Sequence, residues 1–264
     1  MDLWYISFVA ALLGLAVGSF FNVLIYRVPR NMPISWPPSH CTQCGKSIRP
    51  RHNIPLLGWL LLRGKCANCQ EKISIQYPLV ELLCGVLGAA SVWWVYGVYG
   101  SMPWYHLVAV FWLVLTIVPI ATVDFKHQLI PDTTSLGGIA IGLILAFFNP
   151  QTTFLSSFLG AIIAGGSLFI FAQIMGRILG KAAMGFGDVK LLAALGAFMG
   201  WSHALAALVC ASIVALLVIL PWRFFKPSEE ESFAFGPFIA LMGPIFYLYG
   251  HQIMDFYWNY LQMP

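Results

Sequence analysis

The sequence predicts an all-α integral membrane protein of about eight transmembrane helices, with a cytoplasmic zinc-binding loop after the first. Three observations predict it. Hydrophobic residues make up 59% of the 264 and charged residues only 9%, against about 25% charged in a soluble domain. Mean hydropathy is +0.80, more apolar side chain than a soluble core absorbs, so much of it must face lipid or other helices. Finally, apolar runs recur at roughly 3–26, 78–99, 104–123, 134–148, 154–176, 189–200, 203–222 and 233–249.

The first run, 3–26, lacks a basic start and a small-residue cleavage site and is too long for a signal peptide, which makes it a retained span. Gly14 and Gly18, four apart, permit close helix packing. Residues 27–77 follow as a polar loop. Eight of the fourteen Lys/Arg fall there (Arg27, Arg30, Lys46, Arg49, Arg51, Arg63, Lys65 and Lys72), opposed by Glu71 alone. Basic residues mark cytoplasmic loops, so this loop is expected inside and the N-terminus outside. No interleaved aromatic pattern or recognition helix accompanies the basic residues, which sets nucleic acid aside as a partner. The expected organisation is thus a first helix (1–26), the loop (27–77) and a multi-helix bundle in contact with lipid (78–264).

Treating all eight runs as spans puts every Lys/Arg on the cytoplasmic side and both termini outside. Two of the runs, 134–148 and 189–200, fall below the ~20 residues that a perpendicular helix needs. Fusing 189–222 into one span would move Arg223 and Lys226 outside, so a break is expected near Gly200-Trp201-Ser202-His203. Irregular backbone of that kind survives in a membrane only where protein or water covers it. Trp93, Trp94, Tyr96, Tyr99, Trp104, Tyr105, Trp201 and Trp222 cluster near the expected interfaces as an aromatic belt. Gly196 and Gly200 form a second close-packing pair, Cys84 and Cys210 read as small core residues, and Glu229-Glu230-Glu231 as a solvated loop.

Within the basic loop stand Cys41-Thr42-Gln43-Cys44 and Cys66-Ala67-Asn68-Cys69, twenty-one residues apart. Repeated C-x2-C lets each pair form a knuckle that points two thiolates at one ion and closes a tetrahedral all-cysteine zinc site. The separation lies just outside the usual window of about 15–20 residues. Disulfides are disfavoured in a reducing cytoplasm. With no open coordination position, the metal's expected role is structural: it folds a loop with little core of its own.

Asp124 closes the third run and Asp188 opens the sixth, the latter within Gly185-Phe186-Gly187-Asp188. An ionisable group at the edge of the hydrocarbon is costly unless it has a task or a partner. In the eight-span arrangement both sit at the cytoplasmic edge. Gly185 and Gly187 would admit an extended peptide beside a carboxylate. One ionised Asp could then draw a proton from water while the other, protonated, polarises a scissile carbonyl. The bland alternatives are a helix cap at Asp188 and an ion pair of Asp124 with Lys126 or Lys190. Asp132, in Pro131-Asp132-Thr133-Thr134, reads as a helix cap.

Several motifs together resemble the type IV prepilin peptidase family. They are Gly18-Ser19-Phe20-Phe21-Asn22-Val23 with Tyr26-Arg27-Val28-Pro29-Arg30; the paired C-x2-C with Asn53-Ile54-Pro55 between them; Tyr77-Pro78-Leu79-Val80-Glu81; Asp124 with Leu129-Ile130-Pro131-Asp132; Gly185-Phe186-Gly187-Asp188-Val189-Lys190; and Phe235-Gly236-Pro237-Phe238. They occur in order across residues 18–238. The resemblance implies a multi-pass protein of the bacterial inner membrane, an aspartyl protease of the GxGD type with site logic like that of presenilins. Its catalytic acids would match Asp124 and Asp188. Such enzymes cut the basic leader of prepilins or pseudopilins after a Gly on the cytoplasmic side. Many then methylate the new N-terminal amine from S-adenosylmethionine. The four-cysteine pattern, matched by Cys41, Cys44, Cys66 and Cys69, implies the bifunctional kind. By the same analogy Pro237 would shape a peptide edge near the aspartates. No Gly-rich strand–helix fingerprint for S-adenosylmethionine is visible, so its contacts have no assignment from sequence. Glu71, Glu81 or anionic lipid are candidates for holding the basic leader. The rival functions are a proton-relay transporter and a non-catalytic zinc-loop adaptor. Against the transporter stand the lack of an evident internal repeat and the placement of both acids at one face.

Overall fold

The computed structural model describes residues 2–181, 184–225 and 233–261. Lys226 and Glu229-Glu230-Glu231 lie outside the described residues. The architecture is helical, as expected: α1 (Leu3–Arg27), α2 (Leu57–Leu61), α3 (Gln76–Tyr99), α4 (Trp104–His127), α5 (Asp132–Ala146), α6 (Phe154–Leu179), α7 (Phe186–Phe225) and α8 (Gly236–Leu261). Among the described residues, five stretches are long and apolar enough to cross a bilayer: 3–30, 76–99, 104–127, 154–179 and 186–221. At 15 residues α5 reaches about 22 Å, short of a ~30 Å hydrocarbon layer.

The chain divides into two compact units, Met1–Gly100 and Ser101–Pro264. In the first, α1 and α3 form an antiparallel hairpin. Trp4 at the start of α1 meets Trp93 near the end of α3 edge to face, ring centroids 5.0 Å apart. At the opposite end, Asn22 Nδ2 donates to the Tyr77 carbonyl at 3.0 Å. The expected Gly14/Gly18 stripe makes this closeness available: a Cβ on Gly18 would lie 2.9 Å from the Cα of Glu81 and the Cβ of Cys84. Cys84 is fully buried, as a small core residue should be.

The loop following α1 is drawn back onto its own helix. Arg27 is 4% exposed, and its guanidinium donates to the carbonyls of Pro33, Ile34 and Pro37 at 2.9, 2.9 and 2.6 Å. The sequence offered Arg27 as a topology charge and a motif member; its planar fork of donors gathers three carbonyls of the emerging loop.

In the second unit α7 packs against α5, α6 and α8, while α4 packs against α8. Small residues let these axes approach. A Cβ on Gly165 of α6 would lie 2.7 Å from the Ala193 Cβ, and one on Gly142 of α5 would lie 2.9 Å from that of Ala197. Gly160 and Gly196 meet backbone to backbone. The core between them is built by Leu113 and Ile120 from α4, Leu168 from α6, Leu192 and Leu195 from α7 and Ile239 from α8. The expected break falls where the charge pattern put it: Gly200 leaves the helix at φ 78°, ψ 167° and divides α7. That region of backbone space is essentially restricted to glycine.

Candidate active site and metal centre

Asp124 lies in the last turn of α4 and Asp188 in the first turn of α7; both are buried, at 6% and 9% exposure. Their carboxylates are close enough for the two charges to interact. The link between the two helices is the loop after α4. Gln128 caps α4 in the left-handed conformation (φ 52°), returning its N–H to the Asp124 carbonyl at 2.9 Å. Two residues on, Ile130 lies between two glycines. A Cβ on Gly187 would be 3.0 Å from the Ile130 Cβ, and one on Gly236 would be 2.8 Å from its Cδ1. The short segment 128–131 thus brings the starts of α7 and α8 to the end of α4.

Gly236 supplies a direct contact to the Asp124 carboxylate. Its N–H, at the start of α8, donates to Asp124 Oδ2 at 3.0 Å, buried from solvent. A backbone donor of this kind compensates carboxylate charge without a counter-ion. Pro237, the expected edge-shaping residue, is buried directly after it, and the contact to Asp124 is made by its neighbour. Gly185 is exposed, and a Cβ there would lie 3.6 Å from Asp188 Oδ2, so the approach to that carboxylate is open on the Gly185 side. The Asp188 N–H returns to the Gly185 carbonyl at 3.2 Å and begins the helix.

Neither ion pair foreseen for Asp124 forms: among the described residues Lys126 makes none, and Lys190 is engaged elsewhere. Its ammonium pairs with Asp132, in the first turn of α5. Asp132, expected as a cap, is therefore an ion-pair partner; the N-cap position itself is Pro131.

In the other unit the four cysteines of the loop converge. Their Sγ atoms all lie within 4.8 Å of one another, with Cys41 and Cys69 3.8 Å apart, well beyond a disulfide bond. A tetrahedron of thiolates at about 2.3 Å from zinc has edges of about 3.8 Å, so the donor set fits that ion. Each pair sits on a knuckle of the same construction. Bridges join His40 to Ser47 and Lys65 to Lys72; within them Cys41 N–H bonds the Lys46 carbonyl and Cys66 N–H the Glu71 carbonyl, at 2.9 and 2.8 Å. The residue after the second cysteine turns left-handed in both knuckles, Gly45 at φ 70° and Gln70 at φ 60°. Backbone N–H groups of Cys69 and Asn68 pull the Cys66 thiol down to about 6. The Glu71 N–H acts the same way on Cys69, yet burial and the surrounding thiols outweigh it and push that group up to about 12. The Cys66 thiolate thus forms readily while Cys69 resists, which is the electrostatics a divalent cation relieves.

Sequence reading missed Gly236, Ile130, Arg27 and the Lys190–Asp132 pair as contributors. Each lies in a motif quoted above, Phe235-Gly236-Pro237-Phe238 for Gly236 and the runs around Arg27, Ile130, Asp132 and Lys190 for the others, but membership of a motif did not say what each residue touches.

Residues 12–95 match the bacterial peptidase A24 N-terminal domain, and residues 107–220 match the type IV leader peptidase family. A prepilin leader peptidase/N-methyltransferase of Pseudomonas putida is 35% identical, covering 96% of this chain and 94% of that protein. Its counterparts in Neisseria gonorrhoeae and Legionella pneumophila are 38% and 32% identical, covering 90% and 97% of this chain and 88% and 96% of theirs. No solved structure matches the chain. With relatives this similar over nearly its whole length, and both domain models matched in order, the chain belongs to the type IV leader peptidase family.

Proposed function

We infer that this chain is a prepilin leader peptidase and N-methyltransferase: it removes the basic leader from type IV prepilins or pseudopilins after Gly, and methylates the amine so exposed. The observation that carries the proteolytic half is the meeting of two buried carboxylates, Asp124 and Asp188, at the ends of two membrane helices. Two acids in one site share a proton. Asp124, held by the Gly236 N–H, suits the ionised partner that takes a proton from water. Asp188, open on the Gly185 side, suits the protonated partner that donates to the scissile carbonyl oxygen. Attack by the water gives a tetrahedral species, and return of a proton to the leaving amine completes the cut. Gly185 and Gly187 leave room for an extended backbone beside Asp188, and Pro237 stiffens the start of α8 after the Gly236 donor. The site works at the cytoplasmic edge of the inner membrane, where a substrate's basic leader stays in water while its apolar helix stays in lipid.

In the N-terminal unit, Cys41, Cys44, Cys66 and Cys69 hold a structural Zn2+ that supplies folding energy to the loop. S-adenosylmethionine supplies the methyl group. Mass spectrometry of the mature N-terminus of a co-expressed prepilin tests both halves at once. Asp124→Asn and Asp188→Asn are each expected to lower cleavage at least about a hundredfold. Either variant cutting at the wild-type rate removes the aspartyl mechanism.

A further inference from the structure

The N-terminal unit contains a cavity of about 650 Å3, within the roughly 300–1,000 Å3 of small-molecule sites. It lies where the α1–α3 hairpin meets the cysteine loop, bordered by Asn22, Tyr26, Trp59 and Glu81 with Arg49 and Lys72. Three features distinguish it from a packing gap. First, Asn22 is 5% exposed, and its Oδ1 is buried without a hydrogen-bond partner. The Tyr77 carbonyl can only accept, so it fixes the amide with Nδ2 toward itself and leaves the acceptor over. An orphaned acceptor costs about 1–3 kcal/mol and calls for a donor or a cation. Second, Glu81 is a carboxylate 8% exposed that forms no ion pair among the described residues; its Oε2 accepts the Leu56 N–H at 2.8 Å. Third, Leu56 is bent at φ 59°, ψ −51°, with the Leu57 N–H returning to the Pro55 carbonyl at 2.6 Å. This γ-turn of positive φ is rare and strained for a branched residue, and such strain concentrates at ligand clamps.

We propose that this cavity is the binding site for S-adenosylmethionine, with Asn22 Oδ1 and the Glu81 carboxylate as acceptors for the donor's cationic end. The proposal rests on the transferase reading above and deepens it by giving that activity a place. The chemistry of the walls matches the ligand's parts. A buried acid and an unpaired amide oxygen suit a molecule carrying ammonium and sulfonium charge. The Trp59 ring offers an apolar wall to an adenine, one face of Tyr26 being covered by the Arg30 guanidinium at 4.2 Å, and Arg49 and Lys72 offer cations to the ligand's carboxylate. The Trp59 indole is held by the Ile73 carbonyl at 3.3 Å, and the Gly64 turn closes over its ring, so the aromatic wall is fixed before a ligand arrives. Zinc then acts on methylation indirectly, by keeping the knuckles that carry two walls of the cavity folded.

The test uses the purified full chain with zinc, in detergent. Ultraviolet cross-linking of radiolabelled S-adenosylmethionine to the wild type is expected to label peptides within residues 19–27 or 49–81. Equilibrium dialysis is expected to show at least a tenfold rise in Kd for Asn22→Leu and for Glu81→Gln. Prepilin processed by each variant should show the methylated fraction falling relative to the cleaved fraction. Label confined to residues 101–264, an unchanged Kd in both variants, or loss of methylation and cleavage in equal proportion overturns the assignment. Wild type that cleaves prepilin but neither binds the donor nor methylates instead refutes the transferase reading itself.

Discussion

Asp124 is the best-held residue of the proposed proteolytic pair, and its partner is a backbone N–H rather than a side chain. Gly236 is there because nothing larger fits: a Cβ would stand 2.9 Å from Asp124 Oδ2 and 2.8 Å from the Ile130 Cδ1. Gly236→Ala is therefore expected to push the carboxylate or Ile130 aside, at about 1–3 kcal/mol of overpacking. Cleavage of a prepilin should fall at least tenfold, with methylation of pre-cleaved pilin spared. The Lys190–Asp132 pair is a different case. Asp132 is 61% exposed, and exposed pairs contribute about 0–1 kcal/mol. Lys190→Ala should accordingly shift the melting temperature by no more than a few degrees. At this scale the two acids were legible, since charge inside an apolar chain advertises itself. Gly236 as donor was not, because every residue but proline offers the same N–H.

Among the helices, α7 decides how the second unit is built. Its small residues, Ala193, Gly196 and Ala197, meet Gly165, Gly160 and Gly142 on the two flanking helices. Midway, Gly200 takes φ 78°, ψ 167°. Gly200→Ala should lower stability by about 1–3 kcal/mol, read as a drop in thermal melting in detergent. Gly166, on α6 with nothing within 4 Å of its absent Cβ, is the control: alanine there should be neutral or stabilise by up to about 1 kcal/mol. Helix positions and the break near residue 200 were readable from hydropathy and charge. Which helix faces which was not. The sequence put Asp124 and Asp188 on helices that could be neighbours; in the structure α8 packs on both α4 and α7, a relation without any local signature.

For the molecule as a whole, the proposed zinc centre would couple chemistry to folding. Because the Cys69 thiol is pushed up to about 12 by burial and the neighbouring thiols, zinc must displace its proton, and affinity should rise with pH. Chelation at neutral pH is expected to expose residues 31–75 to protease and to reduce methylation at least as much as cleavage. Equal protease resistance with and without chelator would remove the structural role of the metal. The sequence by itself determined the class of protein, the cysteine set and the acid pair, because hydrophobic periodicity, metal-ligand spacing and buried charge are local and leave a trace in the order of residues. Only the tertiary structure decided that Gly236 holds Asp124, that Ile130 joins the ends of three helices, and that Asn22 and Glu81 share one cavity. Those facts join residues between 50 and 120 positions apart, through close helix approach and backbone hydrogen bonds, and neither writes a pattern into neighbouring side chains.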